Sequence, residues 1–82
     1  MAPPTLARPA PSPLAALARD ARGVVVDHGT DAATAERLCA LGLGLGASFR
    51  VLRAGERPVV MVGESRIGLG PDLSRALLAV AR

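Results

Sequence analysis

The residues of this 82-residue chain that could do chemistry lie close together, between positions 27 and 39. They are one histidine, one cysteine and three carboxylates: Asp27, His28, Asp31, Glu36 and Cys39. Imidazole and thiolate suit borderline metals such as Fe(II) or Zn(II), and carboxylates can complete the shell. The spacing matches no structural zinc pattern, so we do not expect a closed tetrahedral site within one chain.

Two interpretations of these residues stay open. In the first, a weak or adventitious divalent metal (Zn or Fe) is held by His28, Asp31 and Cys39 and is shared between two chains. In the second, His28 caps or faces solvent beside a strand end, and Cys39 is a small apolar core residue. On neither interpretation does the protein require a cofactor.

Catalytic chemistry is poorly supported. The chain has no Lys and no Tyr, and no third residue follows His28 and Cys39 in a spacing that would orient a nucleophile. A phosphate-binding loop of the G-x-x-x-x-G-K-[ST] type needs a lysine that is missing. The Gly-rich run from Gly42 to Gly46 follows a predicted helix rather than a strand, so we interpret Gly42 and Gly46 as structural turns. The sequence predicts no enzyme.

The charge distribution favours an acidic partner or a membrane-proximal position over nucleic acid. Residues 50–82 hold six of the ten arginines and three of the seven carboxylates, so the positive charge lies in the C-terminal half. The alternative is a small basic barrel that binds single-stranded nucleic acid non-specifically through phosphates. Such proteins stack bases on exposed aromatics. Phe49 is the sole aromatic residue, and we place it inward, so sequence-specific nucleic acid is not expected.

The hydropathy pattern predicts a cytoplasmic protein that does not insert into a membrane. Its longest apolar runs are four or five residues, against the roughly 20 needed to cross a bilayer. The N-terminus lacks the pattern of a secretion signal. The lone cysteine excludes an intramolecular disulfide, as expected in a reducing compartment.

The chain length allows one domain behind a tail. Residues 1–13 contain five of the seven prolines and predict a flexible Pro-rich tail, with a domain over 14–82. Ser12-Pro13 is a plausible helix start, and Leu14, Leu17, Ala18 and Ala21 would share one face of a short helix. A strand is predicted from Gly23 to Asp27.

The best-specified local structure is a helix from about Ala32 to Leu41, with Thr30 or Asp31 as its N-cap. Ala35, Leu38, Leu41 and Cys39 line its inward face. Gly42 is placed for a left-handed cap, and Leu43 after it would contact Leu38, as in a Schellman ending.

Everything after this helix looks mainly β. Strands are predicted at 48–53, 59–62 and 66–69, followed by one helical turn carrying Leu73, Leu77 and Val80. Inward positions are Phe49, Val51, Ile67 and Leu69. Short strands between Gly and Pro turns predict a small β-barrel, which would also remove exposed strand edges.

These elements resemble a known family in their order and spacing. Leu38-x-x-Leu41-Gly42-Leu43-x-x-Gly46, followed by Phe49 to Arg53, is similar to the central motif of FeoA, the small cytosolic protein of bacterial ferrous iron uptake. The resemblance continues through the loop and strand at 56–60 and through Ile67-Gly68-Leu69, and it covers about residues 14–80.

The resemblance implies an SH3-like barrel that accompanies the membrane permease FeoB on its cytosolic side and modulates its activity. An aromatic-lined groove for Pro-rich peptides cannot be built from this composition. We therefore predict partner contacts on the loops at 42–46 and 54–57. The candidate residues are Leu43, Leu45, Arg50, Arg53 and Arg57. A homodimer is compatible with the sequence.

Overall fold

A computed structural model describes residues 10–82, and most of this segment folds into one antiparallel sheet with two short helices. The strands are β1 (Ser12–Pro13), β2 (Arg22–Asp27), β3 (Ser48–Arg53), β4 (Val59–Val62), β5 (Ser65–Gly68) and β6 (Leu78–Ala81). The helices are α1 (Ala32–Ala40) and α2 (Pro71–Ala76), with a 3-10 turn at Leu14–Ala16. Neither helix combines the length and the hydropathy that a membrane crossing would need over residues 10–82.

The six strands are hydrogen-bonded in the order β1-β6-β2-β3-β4-β5. Register shifts mark bulges in β2 between Val25 and Asp27 and in β3 between Val51 and Arg53, and bulges bend a sheet. Leu14 beside one edge and Ile67 at the other belong to the same core cluster, so the sheet curls around that core.

This architecture confirms the mainly β prediction, with one correction to the barrel. In the segment that the structure describes, β1 and β5 are edge strands that do not pair with each other. The sheet is therefore barrel-like without being closed, and the outer edge of β5 keeps its backbone groups free of a neighbouring strand.

Strands β3 and β4 have their predicted bounds, and the side chains of β3 alternate between the two faces of the sheet. Phe49 and Val51 of β3 are buried while Arg50 between them is exposed. Val60 and Ile67, which pair across β4 and β5, continue the buried face. A period of two residues with one face on the core is what such a sheet requires.

The N-terminal helix prediction is wrong. Pro13 has an extended backbone, with ψ 145°. It pairs with Leu78 of β6 rather than starting a helix. A 3-10 turn follows, in which Leu14 is buried and its N–H donates to the Leu77 carbonyl at 2.9 Å. Residues 12 and 13 were assigned to the tail, and residues 1–9 of that predicted tail lie outside the described residues.

The C-terminal end also differs from expectation. Leu77 and Val80 were placed on a helical turn, whereas α2 ends at Ala76 and Leu77 has an extended ψ of 120°. Val80 belongs to β6, which lies between β1 and β2 and pairs with Val24. Leu77 is nevertheless fully buried and belongs to the core cluster.

The predicted ending of α1 is confirmed. The Gly42 N–H donates to the Cys39 carbonyl at 3.0 Å, and the Leu43 N–H donates to the Leu38 carbonyl at 2.8 Å. These are the two hydrogen bonds of a Schellman motif, and Gly42 takes the left-handed φ of 100° that it needs. Leu38 and Leu43 are buried, whereas Leu41, predicted to face inward, is 52% exposed.

The contrast between two leucines of this segment gives a stability test. Leu38→Ala should lower the free energy of unfolding by roughly 2–5 kcal/mol, because it opens a cavity in the core of a small domain. Leu41→Ala, three residues further on, should lower it by no more than about 1 kcal/mol, because about half of the residue is in solvent. Urea unfolding followed by circular dichroism measures both, and equal losses would contradict this assignment of the buried face.

Candidate partner-binding surfaces

The loop after α1 presents one of its two leucines and buries the other. Leu45 is 65% exposed, whereas Leu43 has no exposed surface and belongs to the core. Leu43 therefore cannot contribute to a partner surface as predicted, because the Schellman turn directs its side chain inward. Leu45 and Leu41 are the two most exposed large hydrophobic side chains among the described residues. Leu41 directly precedes the loop and Leu45 lies in it, and we call residues 41–46 the leucine loop.

The loop is held rigidly on both sides. The Gly46 N–H donates to the Val25 carbonyl at 2.8 Å, and the Ala47 N–H donates to the Gly44 carbonyl at 3.0 Å. Gly46 has a φ of 86°, which confirms its predicted role as a turn. A preorganised loop loses little conformational entropy when it binds.

The second predicted loop, at 54–57, lies far from the first. The 42–46 loop precedes β3 and the 54–57 loop follows it. The six residues of β3 span about 17 Å at 3.4 Å per step. Leu45 therefore lies at one end of β3, and Arg53 and Arg57 lie at the other end, so the structure does not bring them into one compact surface.

Contacts to α2 fix the 54–57 loop. The buried Ser74 hydroxyl donates to the Glu56 carbonyl at 2.8 Å, and Arg75 pairs with the Glu56 carboxylate at 3.2 Å. Arg75 also pairs with Asp72 at 3.3 Å. Arg53 and Arg57 are exposed and have no carboxylate within ion-pair distance in the described part of the chain.

Arg50, the remaining predicted contact residue, lies in β3 and belongs to neither loop. It lies on the outer face of the sheet, opposite the buried face of β3. Its cross-strand partners are Arg22 in β2 and Met61 in β4, and Met61 pairs in turn with Arg66. Sequence reasoning counted these arginines without placing them together. Each of these arginines is next to a buried residue in its strand, which indicates that its own side chain faces outward. The order of the strands is needed as well to show that the arginines are neighbours.

The predicted metal ligands are separated in the structure. His28 is buried, and its Nε2 donates to the Leu43 carbonyl at 2.8 Å, because a carbonyl oxygen can only accept. Asp31 caps the start of α1, and Cys39 is exposed one residue before its end, which corrects the alternative in which the thiol was a core residue. Eight residues of helix put Asp31 and Cys39 about 12 Å apart, too far to share one ion.

No group of three His, Cys, Asp or Glu residues within residues 10–82 is close enough to hold a metal. A ligand set completed by a second chain therefore stays a prediction. In such a site, Nδ1 is the ring nitrogen of His28 that keeps a lone pair when Nε2 carries the proton.

The hydrogen bonds of the N-cap favour the charged form of the Asp31 carboxyl group. Hydrogen bonds from Thr34, through its side chain and then its backbone N–H, lower the pKa of Asp31 below its usual 3.8, and the charge of Arg37 acts in the same direction. The backbone bond from Thr34 to Oδ1 is 2.8 Å long. It satisfies one of the N–H groups that a helix start leaves free.

Known proteins match this chain in both sequence pattern and fold. The sequence model of the FeoA domain family matches residues 12–80 of this chain. The crystal structure of an iron uptake regulatory protein, FeoA, is 23% identical, with a TM-score of 0.80 over 89% of this chain and all of that one. The solution structure of FeoA from Chlorobium tepidum is 24% identical, with a TM-score of 0.75 over 83% of this chain and 68% of that one.

A larger protein shares the fold. IdeR from T. acidophilum is 16% identical, with a TM-score of 0.79 over 89% of this chain but 35% of its own. These likenesses confirm the SH3-like fold predicted from the sequence. No curated protein matches the sequence at a significant level.

The N-cap gives a pH-dependent prediction. The lowered pKa of Asp31 means that its stabilising contribution is fully present well above pH 3.8 and is lost as the pH falls through the folded-state pKa. Asp31→Asn keeps an oxygen that can accept the Thr34 N–H but has no charge to titrate. The wild type should therefore be more stable than the variant at neutral pH, and the difference should shrink in acid.

Urea unfolding from neutral pH to below about pH 3 measures that difference. The other carboxyl groups titrate in both proteins, so they cancel. A difference that does not change with pH would refute the electrostatic origin of the cap.

Zinc titration tests the predicted metal site. Any Zn(II) binding should depend on His28 and, through an exposed thiol, on Cys39, and should be accompanied by dimer formation, since one chain does not assemble the ligands. Calorimetry and sedimentation on wild type and Cys39→Ser measure both effects. Full affinity in His28→Ala, with the fold checked by circular dichroism, would eliminate the site.

Proposed function

This chain belongs to the FeoA family, and we propose that it is an accessory protein that binds the cytosolic side of the permease FeoB and modulates its activity. Membership implies a role in ferrous iron transport. The permease as partner and the effect on its activity are the steps that we add. The protein would act by binding, so that contact stabilises one state of the permease over another.

One observation indicates which surface of the chain would contact the partner. Leu41 and Leu45, 52% and 65% exposed, both belong to the leucine loop, which backbone hydrogen bonds hold in place. A single exposed leucine is ordinary on a protein surface. Two at one rigid loop offer apolar area at a low entropic cost, which is what a protein contact needs.

Arg53 and Arg57 enter this proposal as a second, separate region. They lie about 17 Å from the leucine loop, at the far end of β3. A partner that touches both regions would have to cover the length of that strand. We therefore assign the main contact to Leu45 and treat Arg57 as a test of how far the interface extends.

Replacement of Leu45 should separate binding from stability. Leu45→Glu should weaken binding to the cytosolic domain of the permease at least about tenfold, because it places a charge in the apolar contact. Ala33→Glu adds the same charge at an exposed position in the first turn of α1 and should bind normally. Both variants should keep the melting temperature of the wild type within a few degrees.

The measurement is a binding titration with the purified domain, with and without GTP and Fe(II). Arg57→Glu, measured in parallel, weakens binding if the interface reaches the other end of β3. Deletion of the gene should lower Fe(II) uptake while the amount of permease stays unchanged. Unchanged uptake in the deletion strain would refute the role, and normal binding by Leu45→Glu would refute the surface.

A further inference from the structure

Four arginines form a row across the outer face of the sheet. The pairs Arg22 with Arg50, Arg50 with Met61 and Met61 with Arg66 are directly opposite each other on adjacent strands. Arg82 lies beside Arg22 in this row, because the backbone N–H of Arg82 donates to the Arg22 carbonyl at 2.9 Å. Residues directly opposite in a sheet point to the same face. We call Arg22, Arg50, Arg66 and Arg82 the arginine row.

None of the four arginines of the row forms an ion pair with a carboxylate in the part of the chain that the structure describes. All four residues are exposed, and within residues 10–82 the two ion pairs both involve Arg75 instead. Like charges placed directly opposite in a sheet destabilise it. Arg22 and Arg50 are directly opposite each other on β2 and β3, so their repulsion costs stability, and an anionic ligand would relieve it.

Part of the row borders a groove. An open cavity of about 610 Å³ is lined by Arg22, Arg50 and Arg82 together with Ser48, Met61 and Gly63. Arg82 donates to the Ser48 hydroxyl at 2.8 Å, which holds its guanidinium over this space. Guanidinium groups bind carboxylates and phosphates through paired hydrogen bonds, so the groove is chemically suited to anions.

We propose that the arginine row binds an extended, acidic segment of a partner protein. Adjacent strands are about 4.8 Å apart, so the row spans about 19 Å, the length of roughly six extended residues. Apolar side chains lie beside it on the same face: Val24 pairs with Val80, and Met61 interrupts the row itself. Acidic residues at every second position would place their carboxylates on one side of the extended segment, facing the row.

A polynucleotide fits this face less well. Single-strand binding relies on stacking of bases on aromatic side chains, and Phe49, the sole aromatic of the chain, is 4% exposed. The site does not depend on the identity of the permease as partner, because it follows from the register of the sheet and from charge.

The test uses a fluorescein-labelled peptide of about ten residues in which Glu and Val alternate. Its control replaces every Glu by Gln. Fluorescence anisotropy should show binding of the Glu peptide at low salt, at least about tenfold weakening at ~200 mM salt, and little binding of the Gln peptide.

Two double variants of equal charge locate the site. Arg50→Gln with Arg66→Gln should weaken peptide binding at least about tenfold. Arg19→Gln with Arg37→Gln removes two exposed arginines outside the row and should weaken it less than about twofold. The row variant should melt at the same temperature as the wild type or higher, because repulsion is relieved. If it does not fold, Arg22→Gln replaces it.

Equal weakening by both double variants would overturn the proposal, since net charge alone would explain binding. Tighter, row-dependent binding of oligo-dT or of phosphatidylserine vesicles than of the Glu peptide would also overturn it, in favour of a nucleic acid or a membrane surface. Row-dependent preference for the Glu peptide supports it.

Discussion

The turn at Gly42 is the constraint on which both the core and the leucine loop depend. Its left-handed φ of 100° lets the Leu43 N–H reach back to the Leu38 carbonyl, and this sends the Leu43 side chain into the core. The Leu43 carbonyl then accepts a hydrogen bond from His28 Nε2 at 2.8 Å. A buried carbonyl left without a partner costs about 1–3 kcal/mol. The histidine that looked like a metal ligand in the sequence thus joins the end of β2 to the turn after α1.

The arginine row depends in a similar way on strand register. A shift of one residue between two strands would move a whole set of side chains to the other face. The buried neighbours of the row, such as Phe49 and Val60, prevent such a shift because they would leave the core. The register that fills the core therefore also aligns the four positive charges on the outside.

Local patterns predicted the fold where neighbouring residues decide it. The bounds of β3 follow from alternation, those of β4 from a short apolar run, and the ending of α1 from Gly42. Each of these signals lies within a few residues. β1 and β6 were missed because their pairing joins distant parts of the chain. Leu73, Leu77 and Val80 have the spacing of a helix. Val80 nevertheless lies in a strand, because β6 forms backbone hydrogen bonds with the edge of β2. For the same reason the sequence placed the loops at 42–46 and 54–57 together, although they lie at opposite ends of β3.

The two candidate surfaces differ in the physics of the contacts that they can make. The leucine loop offers apolar area, whose burial is favourable in proportion to area and is little affected by moderate salt. The arginine row offers charge, which speeds encounter and is screened by salt over about 8–10 Å. Neither surface uses a side chain of the core. Leu45 and the arginine row are exposed, whereas Leu38, Leu43 and Val51 fill the interior. In a domain this small the core leaves little stability to spare, so recognition can vary only on such exposed positions.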